Sequence, residues 1–322
     1  MKAYAVGIDL GGTNIKGGLI RRDATIAVKQ SVPTEAAGGV EHVIERLAGL
    51  VEALLSEAGV DKDETVGVCV GSPGPLNSRT GVIYEAPNLN WTDVPLGERL
   101  ERRLGLPVFV ENDANVAALG ETWAGAARDS RCTVLLTLGT GIGGGIVING
   151  EMWRGVTDVG GELGHMCIDL NGPACSCGGR GCIESYASAP AVVRRMQAAI
   201  ESGRDSTLKA AFASGEAVDA ERIHQAAEAG DALAREIIEE TGRLLGVAVA
   251  NCVNIFNPDH VILHGGLVNA GAMLLGPLVA EMKRRCFASA QAGLAVLPSA
   301  LKGSAGIVGA AGCAFRRSAD SS

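Results

Sequence analysis

Aromatic side chains are scarce in this 322-residue chain, at 3% Phe, Trp and Tyr, so its 47% hydrophobic content must build a core from Val, Ile, Leu and Ala. A membrane-crossing run is also missing. The stretch from 132 to 150 is uncharged, but six of its 19 positions are glycine, which reads as strands and turns. The amino terminus, "MKAYAVGIDL", reaches Asp9 before an apolar signal core can build up, so no secretory segment is expected. Positive charge is not in excess. The net charge of −8 and a pI near 5.3 argue against a phosphate-backbone binder, so nucleic acid is not expected as a partner, and with no spanning run neither is a membrane.

Two phosphate-binding signatures are lacking as well. No G-x-x-x-x-G-K-[ST] occurs, and although Gly139, Gly141 and Gly144 spell G-x-G-x-x-G, the next residues are "IVINGEMW". That run is β-branched and broken by an Asn-Gly turn, where a dinucleotide site needs a helix. A secreted disulfide framework is not suggested either. Nine cysteines leave one over, and Cys69, Cys132, Cys252 and Cys313 sit in apolar runs as buried thiols do, which suits a reducing cytoplasm.

The patterns present are those of an α/β protein. "AYAVGIDL", and then "GLIRRDATIAVKQSVP" beyond a glycine-rich turn, predict three opening strands, and the apolar spacing from Val40 predicts a helix stopped at Gly59. "TVGVCVGS" predicts a fourth strand. "LPVFVENDANVAALGETWAG" reads as a strand, a polar loop and a helix. "YAVGIDLGGTNIKGGLI" and "TVLLTLGTGIGGGIVIN" share one plan of strand, Gly/Thr turn and strand, which suggests two related halves. Helices dominate from Ala187 to about Phe256, "HVILHGG" follows as a strand, and a last helix is expected from near Gly306 to just before "RRSADSS". No linker separates the halves, so two joined lobes around a cleft are expected.

Within this frame lie the residues that can carry chemistry. In "DLGGTNIKG" and "LGTGIGGG" the glycines let backbone N–H groups approach a phosphate, although each alone could be an ordinary hairpin turn. "ENDAN" closes a strand and opens a helix. Asn112 or Asp113 can cap that helix, and Asp113 can instead accept the proton of a sugar hydroxyl that attacks a phosphoryl group. Cys175, Cys177 and Cys182 fall within eight positions, ten residues after His165. One imidazole and three thiolates fill a tetrahedral zinc with no open position, so the metal is expected to be structural. It would stiffen the loop that carries Glu162 and Glu184, which then become pre-positioned acceptors for a polyol, with the second His165 nitrogen facing the same ligand.

Taken in order over nearly the whole chain, "DLGGTNIKGG", "ENDANVAALGE", "LGTGIGGGI" and "GELGHM...CSCGGRGCIES" resemble the ROK family of sugar kinases and repressors. The resemblance implies a two-lobed, actin-like and hexokinase-like (ribonuclease H-like) α/β fold with a mixed sheet in each lobe. Residues 1–116, completed by a helix at 306–322, would form the first lobe and residues 117–305 the second, which carries the zinc loop. It implies Asp113 as the base for the sugar 6-hydroxyl, with Asn88, Asn112, Glu162, His165 and Glu184 on the other hydroxyls. Asp9, Gly11, Gly12, Thr13 and Lys16 would serve ATP and Mg²⁺ in the first loop, Thr140 and Gly141 in the second, and Gly265 and Gly266 at the adenosine. His165, Cys175, Cys177 and Cys182 would bind zinc. A cytoplasmic homodimer is expected. Only eight residues precede Asp9, too few for the winged helix that the family's DNA-binding members carry, so an enzyme is expected over a repressor or a pure sugar sensor. "EAPNLNW" and the "GGELGHM" context are similar to those of the family's glucokinases, a resemblance that implies glucose, with N-acetylmannosamine, N-acetylglucosamine, mannose and allose as alternatives.

Overall fold

A computed structural model describes residues 2–320. The chain opens as an antiparallel meander of β1 (Tyr4–Leu10), β2 (Asn14–Arg21) and β3 (Ile26–Pro33). Helix α1 (Gly39–Ala58) buries Val43, Ile44, Leu47, Val51, Leu54 and Leu55 along one face and ends where Gly59 turns left-handed. Strand β4 (Thr65–Ser72), buried at every position, pairs parallel to β1. A small antiparallel sheet of β5 (Leu76–Asn77), β6 (Val82–Ala86) and β7 (Trp91–Val94) precedes α2 (Leu96–Leu104). Strand β8 (Val108–Asn112) then passes into α3 (Asp113–Ala124) with no loop between them. The polar segment expected there is the strand end and the first helical turn.

The second sheet starts with β9 (Cys132–Leu138), β10 (Ile142–Ile148) and β11 (Glu151–Met152), the last two joined by Asn149 and Gly150, both at positive φ. Helices α4 (Ile183–Ala187), α5 (Ala189–Glu201), α6 (Lys209–Ser214), α7 (Ala220–Glu228) and α8 (Ala232–Phe256) follow. Then come β12 (His260–His264), α9 (Ala272–Arg285), α10 (Ala288–Gln291), β13 (Ala295–Pro298) and α11 (Ala305–Asp320). Asp231 caps α8: its Oδ1 accepts the Ala234 amide at 3.0 Å, and its Oδ2 accepts Ser206 Oγ, Thr207 N and Thr207 Oγ1, each at 2.7 Å.

The two five-stranded sheets run β3-β2-β1-β4-β8 and β11-β10-β9-β12-β13. In each, a glycine turn joins two neighbouring strands, as the internal likeness of the sequence suggested. No described helix is long and apolar enough to cross a membrane.

Two compact units result, one of residues 1–133, 145–161 and 299–322, the other of 134–144 and 162–298. Each has its own aliphatic core, around α1 and its sheet in the first and around α8 in the second. The expected break after residue 116 falls inside α3, all of which belongs to the first unit. The reason is its packing on α11, where Gly309 lies directly on the Val116 carbonyl and Gly120 on that of Ala305, contacts that leave no room for a β-carbon. Helix α11 also runs on past its expected end. Arg316 bonds the Gly150 carbonyl and Arg317 that of Ser78, so these two residues continue the helix as anchors.

Candidate functional site

Parallel pairing of β1, β4 and β8 sets Asp9 beside Gly71 and Gly71 beside Glu111, with Ser72 beside Asn112. The row lies at the carboxyl ends of these strands, where open α/β sheets bind ligands. Two strand spacings separate Asp9 from Glu111 by about 10 Å. Lys16 is exposed on β2, not in the glycine turn, and its Nζ lies 3.7 Å from Asp9. In the turn itself, Thr34 bonds the carbonyls of Gly11 at 2.6 Å and Thr13 at 2.8 Å. Asn88 packs on Gly12 so closely that a β-carbon there would stand 3.1 Å from its own. Asp9, the first glycine turn and Asn88 are therefore brought together within the first unit.

At the end of β8, Asn112 takes the capping role. Its Oδ1 accepts the amides of Ala114 at 3.0 Å and Asn115 at 3.1 Å. Asp113 occupies the first helical position, where the dipole favours negative charge, and its Oδ1 accepts the Ala114 amide at 2.8 Å. The residue before them, Glu111, is 1% exposed and did not stand out in the sequence. Its Oε1 accepts the Asn112 amide at 3.0 Å and Asn115 Nδ2 at 3.1 Å, and its Oε2 accepts Arg154 Nε at 2.6 Å. Burial works against the Arg154 charge, but the adjoining Glu111 carboxylate outweighs it and holds the guanidinium pKa above its ordinary value.

In the second unit, the turn between β9 and β10 is fastened from two sides. Thr137 Oγ1 accepts the Gly143 amide, and Glu184 Oε2 accepts that of Ile142, both at 2.9 Å. A β-carbon on Gly141 would come within 2.6 Å of the same carboxylate oxygen, and Gly164, between Glu162 and His165, rests on the Ile142 carbonyl. Thr140 and Glu162 are exposed. Thus the segment carrying Glu162, His165 and Glu184 is docked on the second glycine turn, a link over 42 residues that no sequence signal announced.

The donor atoms of His165, Cys175, Cys177 and Cys182 all lie within 4.8 Å of one another. Cys177 Sγ and Cys182 Sγ are 3.7 Å apart, and Cys175 Sγ is 3.5 Å from His165 Nδ1. Tetrahedral zinc requires edges of about 3.8 Å between sulfurs and about 3.5 Å between sulfur and nitrogen, so the four residues fit the metal, with His165 offering Nδ1. Burial opposes ionisation of Cys175, yet the Cys177 amide, the Ser185 hydroxyl and His165 bring its thiol down to about 6. Burial, together with neighbouring Cys175 and Cys177, pushes Cys182 up to about 12.

A cavity of about 490 Å³ in the second unit is lined by Thr140 and Gly266 together with Glu221, His224, Gln225 and Glu228 of α7. Gly265 adjoins it, seated on the Leu138 backbone. The glycines were expected at a nucleotide, but the α7 residues were not singled out. Ile223, Ala226 and Ala227 mark the buried face of that helix, and the sequence gives no sign that its polar face lines a cavity.

The ROK family model matches residues 5–317. The chain belongs to the ROK family. Among ROK proteins, it is 40% identical to a glucokinase of Thermotoga maritima over 96% of both chains. A ROK family glucokinase of Streptomyces griseus, solved in complex with glucose and AMPPNP, superposes with a TM-score of 0.82 at 32% identity, over 97% of this chain and 99% of that one. A xylose repressor of Bacillus subtilis is 31% identical over 92% of this chain and 73% of its own length.

Proposed function

We propose that this ROK protein is an ATP-dependent hexose kinase that phosphorylates the 6-hydroxyl, with glucose as its first substrate. The observation that carries the reading is Asp113 in the first turn of α3, at the end of a strand row that also holds Asp9 and the first glycine turn. Phosphoryl transfer needs an acceptor for the hydroxyl proton and donors for the phosphate oxygens. As the 6-oxygen attacks the γ-phosphorus, its proton passes to Asp113 and the bond to the ADP oxygen breaks. Asn112, already committed to the cap through Oδ1, keeps its amide nitrogen for a sugar hydroxyl. Asn88, Glu162, Glu184 and the Nε2 end of His165 are assigned to the other hydroxyls. The backbone amides of residues 11–13 and 139–141 serve the phosphates, and the cavity beside α7 the nucleoside. Asp9 would hold Mg²⁺, which neutralises charge on the phosphates when bound. The four zinc donors hold the 162–184 segment in shape and take no part in the chemistry.

The glucokinase relatives support sugar phosphorylation and favour glucose. The test is ADP release with MgATP across glucose, mannose, allose, N-acetylglucosamine and N-acetylmannosamine. Glucose is expected to give the highest kcat/KM. Release stimulated by none of them would overturn the kinase reading, and a preference for another sugar would overturn glucose alone.

A further inference from the structure

We infer that Glu111 and Arg154 are positioning residues for Asp113: a buried ion pair that fixes the turn from which the proposed base projects. The inference rests on the reading of Asp113 given above. Its starting point is an expense without an obvious structural return. A buried carboxylate and a partly buried guanidinium are costly to desolvate, and a well-packed apolar pair of the same volume commonly serves stability as well or better. Here the glutamate side chain is 2% exposed and the arginine 25%.

The geometry shows what the pair holds. Residues 112 and 115 bracket Asp113, and Glu111 Oε1 grips both, through the Asn112 backbone amide and the Asn115 side chain. Asn112 Oδ1 in turn holds the amides of Ala114 and Asn115. Every residue from 112 to 115 therefore has its backbone or side chain tied into one network, and Arg154, two residues beyond β11, fixes the carboxylate at its centre. Asn115 is itself 2% exposed, and its Oδ1 has no partner among the described residues. The Asn115 side-chain amide is thus held through its Nδ2, which donates to Glu111. Displacing a reacting group by about 1 Å can cost on the order of 100-fold in rate, which is the scale of effect that such a clamp controls.

The experiment is a double-mutant cycle of Glu111→Gln, Arg154→Met and both together, with Glu111→Asp and Arg154→Lys as conservative variants and Asp113→Asn alongside. For each, kcat, hexose KM and the urea unfolding free energy are measured. The single variants are expected to lower kcat about 10- to 100-fold with hexose KM changed less than about threefold, and Arg154→Lys to recover part of kcat. Coupling should appear in kcat as well as in unfolding. Folded variants with normal kcat, or coupling confined to unfolding, would assign the pair to stability alone and overturn the inference. If Asp113→Asn itself keeps normal turnover, the reading of the base fails instead.

Discussion

Glu184 holds the amide of Ile142 at 2.9 Å, so one carboxylate ties the segment of His165 and the three clustered cysteines to the second glycine turn. Two features that the sequence offered as separate motifs, one for sugar and one for phosphate, are therefore mechanically a single piece. Glu184→Ala should leave that amide without its acceptor, at a cost of about 1–3 kcal/mol, and raise KM for ATP as well as for hexose. Glu184→Gln keeps a carbonyl for the amide and should restore the melting temperature and KM for ATP, leaving only the hexose defect. Steady-state kinetics with each substrate varied, alongside thermal melts, separate these outcomes.

Asp113→Asn should lower kcat by about 10²- to 10⁴-fold, the usual weight of general-base assistance. Hexose affinity should stay near that of the unaltered protein, because the cap belongs to Asn112 and survives. Calorimetric titration with glucose checks the second half.

Elemental analysis should find one zinc per chain, lost in Cys177→Ser. The variant should melt lower and show hexose KM raised about tenfold or more, since groups that orient a site commonly act on that scale. Full activity after exhaustive chelation would remove zinc from the account.

Acid should act partly through Asp231. Burial alone would raise its pKa, but the Ala234 amide and the Ser206 and Thr207 donors bring it down to about 2. A carboxylate whose folded value lies below its unfolded one adds stability above the unfolded value, and that contribution is lost as pH falls from about 4 towards about 2. About 2 kcal/mol is at stake for a shift of this size. Urea unfolding between pH 7 and pH 2 should show the loss, and Asp231→Asn should flatten the curve in that window.

Much of this was legible in the chain itself. The opening meander, the stop at Gly59, the hairpin at Asn149 and the gathering of His165, Cys175, Cys177 and Cys182 each follow from local rules of period, turn chemistry or residue spacing. Glu111, Arg154 and the polar face of α7 were not legible. Their roles come from partners 43 residues away in one case and from the wall of a cavity in the other, and composition carries no trace of either. The true extent of α11 escaped for a like reason, because arginines that look like a solvated tail find carbonyls at Gly150 and Ser78.

The bare contact of Gly309 with Val116 also bears on how the molecule is made. Helix α3 leaves the ribosome long before α11 exists, and at ordinary translation speeds the gap is on the order of ten seconds. Throughout that interval the helix that begins at Asp113 lacks its packing partner, so the close packing of the two helices can form only after α11 has emerged.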